Sequence, residues 1–275
     1  MDYTKIDQRN QPGPFDIIGD VHGCFDELQQ LLEKLDYRIF EGVGKYGFEV
    51  DHPENRKIVL LGDLVDRGPK IVPVLKLAMA LTSSGRAYCL AGNHEDKLLR
   101  KLLGRNVQIK HGLAESLRQL AAEPPEFTVT LCNFLQSLPH HLLLDNGKLV
   151  VAHAGMKESY QGQDFPAVRQ FALFGEVTGE TDPTGLPVRA NWARDYHGQA
   201  LVVYGHTPVI ETKWENNTVD IDTGCVFGGQ LTALCYPELR LVAVPALATY
   251  YTPARPFIRD TETYAVSCVE LPPSF

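Results

Sequence analysis

Five places in the sequence set Asp, Asn or His directly after a short apolar run: Gly19-Asp20-Val21-His22, Gly62-Asp63, Gly92-Asn93-His94, Val151-Ala152-His153 and Gly205-His206. Glycine at such a junction lets the backbone turn sharply without a Cβ clash. Ligands of open α/β sheets bind beyond the carboxyl ends of the strands, so these loops have a common place to meet. They bring the carboxylates of Asp20 and Asp63, the amide oxygen of Asn93 and the imidazoles of His22, His153 and His206. That donor set suits two divalent cations. Such ions, about 3.5–4 Å apart, repel each other, and an anionic group must lie between them. Imidazole and oxygen donors without thiolate favour Mn, Fe, Zn, Ni or Co over Ca or Mg, with Mn2+ the expected ion. A single Asp-x-His means little; five signals at strand ends make coincidence a poor account.

The elements that must position these residues are short. Phe15–Ile18, Lys57–Leu61, Ala87–Leu90, Lys148–Val151 and Leu201–Tyr204 read as buried strands. Further strands are expected near Val219–Ile221, Gln230–Cys235 and Leu239–Val244. Apolar residues at helical spacing predict helices over Phe25–Leu35 and Val72–Leu81, and a third over Asp96–Leu103. Residues 1–14, polar and ending in Pro12-Gly13-Pro14, read as a flexible arm. The span 15–245 reads as one α/β domain with a β-rich second half, and 246–275 as a tail. Within the domain, 105–145 looks like a helical, cap-like insertion broken at Pro124-Pro125. Asp36–Arg56 and Gly175–Pro187 read as surface loops.

The chain has 275 residues, 44% hydrophobic and 22% charged, with a formal net charge of -8. These values exclude a disordered or low-complexity protein. The acidic balance argues against a stable nucleic-acid partner, although a local metal or arginine cluster can still attract an anion. No apolar run is long enough to span a membrane. Six cysteines are scattered without a CxxC pair, and the polar N-terminus has no apolar signal core. Both features lead to an expectation of free thiols and a cytoplasmic location.

The motifs GDVHG (19–23), GDLVDRG (62–68), GNHE (92–95), HAG (153–155) and GHTP (205–208) resemble, in order, the calcineurin-like metallophosphoesterase superfamily, and within it the phosphoprotein-phosphatase branch. The resemblance implies a four-layer β-sandwich flanked by helices with a dimetal site at the strand ends. Carried over by position, Asp20 and His22 would hold one metal, Asp63 would bridge, and Asn93, His153 and His206 would hold the other. A hydroxide bridging the metals would attack phosphorus. His94 would be the general acid, Asp66 its orienting partner and Arg67 a phosphate clamp, with Asn93 also near the phosphate. Arg189 is a candidate second clamp; its bland alternative is a loop arginine on the surface.

GLPVRANW (185–192), VVYGHTPV (202–209) and DTGCVFGG (222–229) are similar to PrpE-type bis(5'-nucleosyl)-tetraphosphatases and to the phosphatase domain of bacterial polynucleotide kinase-phosphatases. The latter similarity extends into TYYTPARPF (249–257). No phosphate loop of the kinase type occurs, since Gly42-Val43-Gly44-Lys45 lacks the spacing and the following Ser or Thr. The resemblance implies hydrolysis of phosphoesters or phosphoanhydrides, with dinucleoside tetraphosphate as the first expected substrate. A Ser/Thr protein phosphatase, a polynucleotide-end phosphatase and a non-catalytic binding module are the alternatives. The intact ligand set and His94 argue against the last. The remaining candidates receive structural readings: Cys24 as a small packed side chain, His140 and His141 as a solvated or capping pair, and His52, His111 and His197 likewise. Gly224 and Gly228-Gly229 mark a tight turn or bulge.

Overall fold

The computed structural model describes residues 5–183 and 185–253. Its strands are β1 (Asp7–Gln8), β2 (Phe15–Ile18), β3 (Arg38–Glu41), β4 (Phe48–Asp51), β5 (Lys57–Leu60), β6 (Ala87–Cys89), β7 (His141–Leu144), β8 (Leu149–Ala152), β9 (Val177–Thr181), β10 (Pro187–Arg189), β11 (Leu201–Tyr204), β12 (Lys213–Glu215), β13 (Thr218–Asp220), β14 (Gln230–Tyr236) and β15 (Arg240–Pro245). Its helices are α1 (Phe25–Lys34), α2 (Ile71–Ser83), α3 (Asn93–Leu102), α4 (Leu113–Leu120), α5 (Pro125–Ser137) and α6 (Pro166–Phe174).

Two sheets carry the fold. One has the order β15-β14-β2-β5-β6 and the other β1-β7-β8-β11-β13-β12. In the first, β2, β5 and β6 run parallel; in the second, β8, β11 and β13 do. β5, β6, β8 and β11 are mainly apolar on both faces, β2 is interrupted only by Asp16, and β13 sets Thr218 and Asp220 on either side of Val219. Phe15 and Ile17 of β2 point into the cluster between the sheets, with Val59, Leu142, Val151 and Val203, while Ile18 points the other way, toward α1 and α2. Alternation with both faces covered explains why such strands read as continuous apolar runs. On the far side of the second sheet, Val150, Ala152 and Val202 pack against Val168, Phe171 and Ala172 of α6. The result is the expected four-layer α/β arrangement: helices, sheet, sheet, helix.

Several expectations are corrected. Residues 5–14 are docked: Ile6 is buried, and β1 adds to β7 in parallel register. The polar sequence hid this, because a strand this short shows no period. Residues 141–144 are no part of a cap. They form β7, buried throughout and paired with β8, and a short apolar run reads equally as strand or helix. His141 is therefore fully buried, with Nε2 accepting from the Gly162 N–H at 3.0 Å, and is neither solvated nor a cap. Asp36–Arg56 contains the hairpin β3–β4, and the loop 175–187 leads through the hairpin β9–β10. Helix α3 begins at Asn93, so His94 lies in its first turn. His52 has a structural role, its ring bonded to Leu35 O and to the Glu54 N–H. Cys24 is packed in the main core, and the described cysteines are free thiols; Cys268 lies outside the described residues, as does most of the tail.

Candidate metal centre

The carboxyl ends of the parallel strands all open on one floor. β2 leads to Asp20 and His22, β5 to Asp63, Asp66 and Arg67, and β6 to Asn93 and His94. The second sheet supplies His153 after β8 and His206 after β11. The loops bend hard to do this. His22, Asp63, Asp66, Arg67 and His206 all have φ between 43° and 75°. A non-glycine residue there costs about 1–3 kcal/mol, a strain that accumulates at functional sites.

The strain is held by backbone bonds between loops and by one buried acid. His22 N–H donates to Asp63 O at 2.7 Å, and Gly23 N–H to Leu64 O at 2.9 Å. Glu95 accepts from the N–H groups of Asp63 (2.7 Å), Leu64 (2.8 Å), Val65 (3.3 Å) and Gly92 (2.9 Å). It thus ties the turn after β5 to the start of α3. Burial, followed by the nearby Asp63 charge, pushes its carboxyl up to about 8. Gly92 must be glycine because a Cβ there would strike the Asp63 carboxylate.

Asp63 divides its carboxylate between two groups of nitrogens. Oδ1 lies 3.4 Å from His153 Nε2, and Oδ2 lies 3.4 Å from His22 Nε2. On the first side, His153 Nε2 is 3.0 Å from both Asn93 Oδ1 and His206 Nδ1. Donors about 2.1 Å from one ion and at right angles to each other would lie roughly 3 Å apart, so this spacing fits a shared cation. On the other side, His22 Nδ1–H donates to Val65 O at 2.7 Å, which leaves the Nε2 lone pair facing the floor. Asp20 Oδ2 accepts from the His206 N–H at 3.1 Å, while its buried Oδ1 has no hydrogen-bond partner among the described residues.

The electrostatics agree. Burial, then the charges of Asp222, Asp63 and Asp220, drive the Asp20 carboxyl well above its ordinary range. Burial acts the same way on Asp63, but His153, His94 and His22 outweigh it and hold Asp63 well below. His206 lies well below the imidazole range through burial, His153 and Arg189. Buried acids packed against imidazoles, with His153 and His206 shifted toward the neutral form, are an environment that divalent cations relieve.

Beside this floor, His94 Nδ1–H donates to Asp66 Oδ2 at 2.5 Å. Asp66 is in turn gripped by Ser116 of α4, which donates to Oδ1 and accepts the Asp66 N–H at 2.9 Å. Arg67 donates through Nη1 to His22 Nε2 at 2.6 Å and through Nη2 to His94 Nε2 at 3.0 Å. Distance alone also groups His94 with His22 and Asp63 as possible ligands. Arg189, on β10, donates to Phe174 O and depresses His153 and His206 electrostatically, which puts its charge by the second sheet's half of the floor.

Asp20, His22, Asp63, Asp66, Arg67, Asn93, His94, His153 and His206 are thus brought to one floor, while Arg189 is anchored at Phe174 O. Sequence reasoning missed Glu95 and Ser116. Glu95 stood in a quoted motif without a role. Ser116 had no signal at all, since it approaches Asp66 from 50 positions away. Of the histidines read as structural, His111 lies beside Arg67, whose charge helps to lower its pKa after burial and Lys97, and His197 is exposed.

Fold and floor together define a dimetal phosphoesterase. The chain belongs to the calcineurin-like phosphoesterases, whose family model matches residues 13–242. That family places a pair of divalent cations at such a floor, and the donors here fit them. The chain is 47% identical over 248 residues to Bis(5'-nucleosyl)-tetraphosphatase PrpE (asymmetrical) of Anoxybacillus flavithermus, covering 88% of this chain and 99% of the relative. The protein of the same name from Bacillus subtilis is 43% identical, with 86% and 96% covered. A solved structure provisionally named a diadenosine tetraphosphatase superposes with a TM-score of 0.62 at 27% identity, covering 88% and 97% of the two chains. Among the described residues, no helix is long and apolar enough to cross a membrane.

Proposed function

We propose that this chain hydrolyses bis(5'-nucleosyl) tetraphosphates in the cytoplasm, with Mn2+ as the favoured cation and phosphoesterase activity on simpler esters besides. The observation that carries the reading is the split carboxylate of Asp63, with one imidazole on one side and the Asn93, His153 and His206 cluster on the other. The names of the relatives supply the substrate class.

Asp20, His22 and Asp63 would hold one cation, and Asp63, Asn93, His153 and His206 the second. When bound, the cations supply Lewis-acid activation of the phosphate and of the attacking water. Arg67 binds equatorial phosphate oxygens through planar, charge-assisted bonds, with Asn93 at the same phosphate and Arg189 on the opposite side. His94 delivers a proton from Nε2 to the leaving oxygen. Burial holds its ring down at about 4, while Asp63 favours the proton and Arg67 opposes it. A phosphate anion between Arg67 and His94 shifts this balance toward the protonated ring. Asp66 fixes the tautomer by accepting from Nδ1.

The test is product analysis with the Mn2+-loaded protein on diadenosine tetraphosphate, a phosphopeptide and a 3'-phosphorylated oligonucleotide. The expected result is unequal nucleotide products from the first, at the highest kcat/KM and with shallow salt dependence. A higher kcat/KM on the phosphopeptide would make the chain a protein phosphatase. Preference for the oligonucleotide with steep salt dependence would make it a polynucleotide-end phosphatase.

A further inference from the structure

A cavity of about 520 Å3 adjoins the floor at Arg67, and its walls include Ile109, Lys110, His111, Tyr250 and Tyr251. Its volume lies in the range of small-molecule sites. One wall is apolar and flat-faced. Tyr251 presents its ring 5.8 Å from the Arg67 guanidinium, and Ile109, 52% exposed, lines the same cavity from the turn before α4. The tyrosines are fixed: both backbone N–H groups donate to Val226 O, at 3.1 and 3.0 Å, and Tyr250 OH donates to buried Glu27 at 2.8 Å. The opposing wall is the turn before α4, held against Arg67 by Gly112, where a Cβ would collide with the Arg67 backbone. Lys110 and His111 stand there, exposed. Glu115 also lines the cavity, but Arg118 (2.9 Å) and Gln119 (2.7 Å) occupy its carboxylate.

Preset aromatic and aliphatic surface next to cationic groups, and continuous with a phosphate clamp, matches a nucleotide better than a bare phosphate. The base stacks on the apolar wall while its phosphates run along the cations to Arg67. We infer that this cavity binds one nucleoside arm of the substrate, with the base against Tyr251 and Ile109 and the adjoining phosphates passing Lys110 and His111. The inference rests on the dinucleotide reading above and locates one end of that substrate.

Competition separates the base from the phosphates. ATP and inorganic tripolyphosphate are compared as inhibitors of p-nitrophenyl phosphate hydrolysis by the Mn2+-loaded full chain. The base should give ATP an apparent Ki about tenfold lower than that of tripolyphosphate. Tyr251→Ala should remove most of that advantage while moving the tripolyphosphate Ki by less than about twofold. Ile109→Asp, at an exposed position that the fold does not need, should do the same. Equal inhibition by the two anions in the unmodified protein overturns the inference. So does an ATP advantage that survives both variants, or a parallel rise in both Ki values, which would mean that the variants act through Arg67. Failure to hydrolyse diadenosine tetraphosphate while the ATP advantage stands would instead sink the proposed function.

Discussion

The floor and the rim of this site are built on opposite terms. The floor is buried and strained: His22 is 3% exposed, Asp63 2% and His153 0%, and its turns sit at positive φ. The rim, Ile109 to His111 facing Tyr251, is exposed or half-buried. Strain needs surroundings that over-determine the backbone, and interlocked loops with Glu95 at their centre provide them. The rim shares some of that strain, with His111 at a φ of 59°, but its side chains are exposed and so open to selection by the nucleotide. In physical terms the floor fixes the reaction and the rim the substrate.

The sharpest way to break this division is at the bridge. Asp63→Ala should abolish binding of both cations and turnover on every substrate together. Two cations per chain in the variant, measured by elemental analysis, would remove Asp63 from its role.

His94→Ala comes next. It should keep both cations and lose about 10²- to 10⁴-fold in kcat on alkyl phosphates, whose leaving oxygen needs a proton. The loss should be much smaller on p-nitrophenyl phosphate, because the phenolate departs unaided. Equal losses on both substrates would exclude the general-acid role, and loss of a cation would make His94 a ligand, which its position near His22 and Asp63 also allows.

Ser116→Ala reaches the floor from α4. It frees Asp66 and should lower kcat on poor leaving groups by about tenfold, the scale of one charged hydrogen bond, with little change in KM. In an Asp66→Asn background the same change should add nothing, because the two act through one contact. Additive losses would show that Ser116 acts elsewhere.

The smallest effect on turnover is expected outside both regions. Burial holds His141 down at about 4, against about 6.5 for an ordinary imidazole. The unfolded chain therefore takes up a proton before the folded one does. Stability from this residue is complete above about pH 6.5 and declines as pH falls toward 4, with about 2 kcal/mol lost by pH 5. Denaturant midpoints at pH 7 and pH 5 should differ less for His141→Gln than for the unmodified protein; an unchanged difference would show that His141 does not titrate this way.

The strands that carry ligands were legible because each is mainly apolar on both faces and stops at a polar turn, a local pattern. β7, equally short, was not, because its apolar run follows a helical stretch and ends in Asp145-Asn146-Gly147 without a ligand motif, and the docked residues 5–14 were not, because their strand has only two residues. Hairpin β9–β10 was missed because it is largely exposed, and β3–β4 because only Ile39, Phe48 and Val50 of it pack on the core and are half-buried there.

The sequence by itself determined the chemistry available: the types of the donors, their order, and their positions after strands that must be buried. Tertiary structure alone decided how those donors meet, since the His206 N–H reaches the Asp20 carboxylate across 186 positions through the packing of two sheets. It also decided that Glu95 clamps the strained turn, that Ser116 grips Asp66, and that Tyr250 and Tyr251 come to stand by Arg67. None of these pairs leaves a local period or motif. Side chains converge only where sheet pairing and helix packing bring distant backbones together, and a linear pattern of hydrophobicity fixes which faces are buried without fixing what they meet.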